Sequence, residues 1–168
     1  MSTKLKAAVV MGSDSDYPIL KNCIKTLKQF EIETEIHVIS AHRTPYRAEE
    51  FARNAEKNGI GVIIAAAGKA AHLAGVLAAY TVIPVIGLPI KSSTMDGLDS
   101  LLSMVQMPKG IPVATVAING AENAALLAIQ ILSLAHPELK EALNVHRKQM
   151  TEEIIEKDRR IKAEAESI

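Results

Sequence analysis

Residues 61–80 read GVIIAAAGKAAHLAGVLAAY. Gly61–Ala66 is an apolar run without polar alternation, the pattern of a strand covered on both faces. From about Ala70 to Tyr80 the alanines and leucines suit a helix. Pro84–Leu88 is then a second apolar run. Strand, helix and strand in so short a span predict two parallel strands joined by a crossover helix.

The same alternation extends in both directions. Upstream, Ala7–Met11 reads as a strand. Pro18–Phe30 reads as a helix with Leu20, Cys23, Ile24 and Leu27 on one face, Pro18 in its first turn, and Ser15 or Asp16 as its cap. Glu35–Ile39 is the next strand. Thr44 and Pro45 open a helix that runs to Asn58, where Gly59 closes it. Downstream, Leu98–Gln106 is a short helix, Val113–Ile118 a fifth strand and Ala121–Ala135 a strongly apolar helix. The expected fold class is α/β, a parallel sheet with helices on both faces.

The tail is of another kind. From Glu138 to Ile168 the chain is charged, with a narrow apolar stripe of Leu139, Leu143, Met150, Ile154 and Ile161. Such a helix needs a surface to pack on. The reading is one domain over 1–168, with an α/β core to residue 135 and a helical tail over 136–168. That tail lies on its own domain or, the preferred expectation, on a neighbouring subunit.

Composition removes several function classes. The 168 residues carry nineteen basic and nineteen acidic side chains and only 3% aromatics. Nucleic-acid binding, which draws on cationic excess and stacking, is not expected. The single cysteine, Cys23, allows no internal disulfide and no cysteine-based zinc cluster, and a reducing cytoplasmic setting fits. No apolar stretch approaches the ~20 residues of a membrane span. No GxGxxG, GxxxxGK[ST], HExxH or GxSxG pattern occurs, so no dinucleotide, P-loop, zinc-protease or serine-hydrolase chemistry is indicated.

Three segments stand at three consecutive strand ends, where open parallel sheets bind ligands. They are Gly12-Ser13-Asp14-Ser15-Asp16, Ser40-Ala41-His42-Arg43-Thr44-Pro45 and Ala67-Gly68-Lys69-Ala70-Ala71-His72. Each leads into a helix N-terminus, a natural anion site. Singly, each has a plain structural explanation: a capped loop, a surface His-Arg pair, a histidine in an apolar segment. Together they offer serine hydroxyls and Arg43 for a phosphate, Asp16 for sugar hydroxyls and His42 for proton transfer. No metal ligand set is seen, and His37, His136 and His146 look structural.

Met11–Asp16 (MGSDSD), Ser40–Pro45 (SAHRTP), Gly68–Gly75 (GKAAHLAG) and Gly97–Ile118 (GLDSLLSMVQMPKGIPVATVAI) resemble the motifs of the N5-carboxyaminoimidazole ribonucleotide mutase family, over about Ala7 to Leu134. The resemblance implies a flavodoxin-like three-layer domain, a homo-octamer, and a substrate with a ribose 5-phosphate and an aminoimidazole ring. It implies that Ser13, Ser15, Ser40 and Arg43 hold the phosphate, that Asp16 holds the ribose, and that His42 is the acid/base. Gly68, Lys69 and His72 would line the ring and carboxylate pocket, with His72 a second catalytic candidate. No cofactor or metal is implied. A functional link is implied to an ATP-dependent synthetase that makes the N5-carboxy compound. Lys69 and Ala74 stand where glycine and proline are usual. A direct carboxylase using free carbon dioxide is the alternative reading. A non-catalytic nucleotide-binding regulator is a remoter one, disfavoured because Ala65–Gly68 offers no phosphoacceptor aspartate.

Overall fold

The structure is a computed structural model and describes residues 5–168. Its five strands are β1 (Lys6–Met11), β2 (Glu33–Val38), β3 (Ile60–Gly68), β4 (Val85–Ile90) and β5 (Ala114–Thr115). All pair in parallel, in the order β2-β1-β3-β4-β5. The helices are α1 (Tyr17–Gln29), α2 (Pro45–Asn54), α3 (Leu73–Tyr80), α4 (Leu98–Val105), α5 (Ala121–Ser133) and α6 (Pro137–Glu166). This is the flavodoxin-like order, and the chain reverses direction across the sheet between β1 and β3.

Side-chain alternation divides the core. On one face Ala8, Val10, Ile63, Ala65 and Val85 pack with Ala48 and Ala52 of α2, Leu73, Ala74 and Leu77 of α3, and Met104 of α4. Alanine on the helices lets them lie close to the sheet. The opposite face carries Leu20, Cys23 and Leu27 of α1 and the buried side of α5. There Gly61 leaves room for Leu132: a Cβ at Gly61 would stand 2.8 Å from Leu132 Cδ2.

Several boundaries differ from expectation for identifiable reasons. β2 is an edge strand, and its Glu33, Glu35 and His37 make it polar, not a continuous apolar run. α2 stops at Asn54, and the chain turns through Gly59 at φ +76 with Ile60 N donating to Ala55 O. β3 continues to Gly68, and α3 starts only at Leu73, because Lys69 is left-handed (φ 57) and His72 N turns back onto Ala70 O. β5 keeps two residues only, although Val116 N and Asn119 N still bond to Gly87 O and Pro89 O of β4. Neither Ser15 nor Asp16 caps α1 by a side-chain bond; Ser13 caps a 3₁₀ turn (Asp14–Asp16) that precedes it.

Two compact units divide at Leu132/Ser133. The second is dominated by the 30-residue α6, with Met150, Ile154 and Ile161 about half exposed or more. Among the described residues no helix is long and apolar enough to cross a membrane.

Candidate active site

The rim at the carboxyl ends of β1 to β4 encloses a cavity of about 590 Å³. All three segments singled out in the sequence line it, and every candidate residue is present: Ser13, Ser15, Asp16, Ser40, His42, Arg43, Gly68, Lys69 and His72.

The β1 end is held by its own polar groups. Ser13 accepts from Ser15 N (3.4 Å) and Ser15 Oγ (2.9 Å), and Ser13 N donates to Asp16 Oδ2 (3.2 Å). This reciprocal cap fixes both hydroxyls on the rim. Asp16 is buried at 7% exposure. Burial raises its pKa above the usual 3.8, opposed in part by the Ser13 N–H and Ser15 hydroxyl bonds. The folded state therefore holds this proton more tightly than the unfolded chain does. Asp16 costs stability as pH rises through the unfolded value and then the folded one. A buried carboxylate kept at such a cost beside a cavity is a mark of a functional group.

At the β2 end Thr44 does not cap α2 with its side chain. Its Oγ1 instead accepts from Ser40 N (3.0 Å) and donates to Ser40 O (2.9 Å), closing the loop on itself. Ser40 Oγ then accepts from Arg43 N (3.1 Å) and Arg43 Nε (3.4 Å), while an Arg43 terminal nitrogen reaches Gly12 O at 3.5 Å. The guanidinium is thus braced against the serine-bearing ends of β1 and β2. That is the geometry for an anion with several oxygens.

Between this anion end and the β3 end stand the two histidines. His42 Nε2 and His72 Nδ1 are 2.8 Å apart, their rings nearly perpendicular at 89°. One nitrogen must donate and the other accept, so the pair shares a single proton along that axis. A proton gained at the free nitrogen of one ring can be balanced by the other. His72, read from the sequence as a histidine in an apolar segment, sits at the start of α3 with its ring towards His42. The two are thirty residues apart in the chain, and no local pattern links them.

The sequence reading missed the end of β4. Ile90, Lys91, Ser92 and Ser93 also line the cavity. Ser92 Oγ bonds both Asp99 oxygens (2.8 and 2.9 Å), and buried Ser100 donates to Ile90 O (2.7 Å), which ties this strand end to α4. The available signal was the strand-end rule itself, applied to a fourth strand. Outside the cavity, His37 bonds Glu35 at 2.7 Å, and burial pushes the Cys23 thiol up to about 12, which leaves it unreactive.

The chain resembles known proteins in sequence and in fold. Residues 6–153 match the AIR carboxylase family. The chain is 63% identical over 145 residues to the N5-carboxyaminoimidazole ribonucleotide mutase of Pyrococcus abyssi, covering 86% of this chain and 83% of that one. It is 50% identical over 149 residues to the phosphoribosylaminoimidazole carboxylase of Candida glabrata, covering 89% of this chain but 26% of that larger protein. Among solved structures, Treponema denticola PurE superposes with a TM-score of 0.85 at 30% identity, over 92% of this chain and 97% of the other.

Proposed function

The chain belongs to the AIR carboxylase family, and on that premise we propose that it is an N5-carboxyaminoimidazole ribonucleotide mutase, an isomerase of purine biosynthesis. The observation that carries the mechanism is the proton-sharing pair His42–His72, set between an anion-binding end and a polar strand end in one cavity.

The roles are those the family resemblance implies, and the residues' shared place in the cavity supports them. Ser13, Ser15, Ser40 and Arg43 receive the 5-phosphate, and Asp16 takes the ribose hydroxyls. Gly68 lets the ring approach the backbone at the end of β3. His42 protonates N5 of the carbamate, the N5–carbon bond breaks, and carbon dioxide leaves. The aminoimidazole ring then attacks carbon dioxide from C4, forming the C4–carbon bond. The proton on C4 returns to the histidine pair, so no net proton is consumed. His72 holds the shared proton and orients His42. With the nucleotide filling the cavity, the carbon dioxide is kept beside the ring.

Direct carboxylation is the competing reaction, since the fungal relative is named a carboxylase. A coupled assay separates the two. The mutase is expected to convert the N5-carboxy compound without added bicarbonate. Product formed only from aminoimidazole ribonucleotide plus bicarbonate would replace the mutase by the carboxylase.

The setting is part of the same proposal. The family resemblance implies an ATP-dependent synthetase as the source of the substrate, and the cytoplasm is the expected compartment. The assembly is proposed to be a homo-octamer. Its support is apolar surface left open: Leu98, Leu102 and Val105 along α4, and Met150, Ile154 and Ile161 along α6. Light scattering at micromolar concentration should give about eight times the chain mass of 18.1 kDa. A stable monomer would contradict it.

A further inference from the structure

We infer that Lys69 and Lys91 form a two-lysine clamp for the migrating carboxylate, at the opposite end of the cavity from the phosphate. The inference rests on the mutase reading above.

The starting point is strand register. Gly68 and Ile90 are the last paired residues of β3 and β4, and each is followed at once by a lysine. Neighbouring strands lie ~4.8 Å apart, so the two lysines follow adjoining strand ends, and both line the cavity. Two ammonium groups sharing one cavity wall repel unless an anion lies between them. Lys91 has a partial answer, Asp96 Oδ1 at 3.1 Å, but that pair is 59% and 87% exposed and weakly held. Its backbone is held at the strand end, with Lys91 N donating to Asn119 Oδ1 at 2.9 Å. Lys69 makes no ion pair among the described residues. It also sits in the left-handed region at φ 57, which costs a lysine backbone energy that glycine would avoid. A strained cation without a partner on a cavity wall is a group kept for a ligand.

Charge order along the rim says which part of the ligand this is. Arg43 is braced at the ends of β2 and β1. The histidine pair follows, and the lysines stand at β3 and β4. A ligand with a phosphate at one end, a ring in the middle and a carboxylate beyond matches cation, histidines, cations. The clamp stabilises both carboxylated forms relative to neutral carbon dioxide. It therefore favours recapture at C4 over escape.

The test compares two nucleotides with the same ring and phosphate: 4-carboxyaminoimidazole ribonucleotide and aminoimidazole ribonucleotide, titrated calorimetrically. Lys91→Met and Lys69→Met should each weaken the carboxylated nucleotide by about tenfold, leave the decarboxylated one within about twofold, and Lys91→Arg should recover most of the loss. Equal weakening of both nucleotides would assign the lysines to the phosphate or to structure and overturn the clamp. Unchanged affinity for both would overturn it as well, and a loss confined to one lysine would overturn the pair. Failure of the unaltered protein to bind either nucleotide is a separate result and would strike the mutase reading itself.

Discussion

His42→Asn is expected to lower turnover by about 10²–10⁴-fold, the usual contribution of a positioned acid/base, while the nucleotide still binds within a few-fold of the unaltered protein. Asparagine keeps a hydrogen-bonding group near His72 but cannot take up or release a proton. The loss should therefore fall on kcat rather than KM. The T-shaped contact adds a second expectation. Because His42 Nε2 and His72 Nδ1 share one proton at 2.8 Å, the two act as a unit. His72→Asn should also reduce kcat, and the double variant should be little worse than His42→Asn alone. Near-normal turnover in His42→Asn would remove it from the chemistry. Fully multiplicative losses in the double variant would mean that the rings act independently.

The fold was legible because both-face burial leaves a simple trace. β1, β3 and β4 are nearly all buried, and apart from Lys6 at the start of β1 their sequences are uninterrupted apolar runs. Where burial was one-sided the trace weakened. β2, at the sheet edge, half-buries the polar Thr34, Glu35 and His37 and exposes Ile36 and Val38, and its limits differ from the expected ones by one or two positions. β5 shrank to Ala114–Thr115, since propensity cannot tell how many residues of an apolar run find a ladder partner. The late start of α3 comes from Lys69 at φ 57 and the turn of His72 N onto Ala70 O, which alanine-rich propensity hides; the glycine usual at position 69 in the resembled family is its one trace.

The site was legible to the extent that it is local. Gly12–Asp16, Ser40–Pro45 and Gly68–His72 each carry their polar residues within a few positions of a strand end. Knowing that such ends converge was enough to assemble them. Three features were not local. The His42–His72 contact joins β2 to β3 across the end of β1. Lys91–Ser93 follows a strand end too, but its tie to α4 through Ser92 and Ser100 joins residues seven to ten apart and shows only in the fold. The burial of Asp16 is set by the surrounding turn, where its chain neighbours Asp14 and Ser15 are exposed.

Arg43→Ala is expected to weaken nucleotide binding by roughly 10- to 100-fold, the scale of a lost hydrogen bond to a charged partner, with a smaller effect on kcat. Two explanations of such a loss must be separated. The guanidinium could bind the phosphate, or it could merely brace the rim, since it bonds Ser40 Oγ and Gly12 O across the ends of β2 and β1. The dephosphorylated nucleoside decides between them. If Arg43 binds phosphate, the unaltered protein should bind the nucleoside far more weakly than the nucleotide. Arg43→Ala should then bind that nucleoside no worse than the unaltered protein does, because the interaction it removes is already absent. If Arg43 is only a brace, the variant should lose affinity for nucleoside and nucleotide by the same factor. Lysine at this position keeps the charge but not the fork. Arg43→Lys should therefore recover part of the phosphate-dependent affinity. It should recover little of the bracing, because a single ammonium on a flexible stem cannot reproduce the geometry that reaches both Ser40 and Gly12.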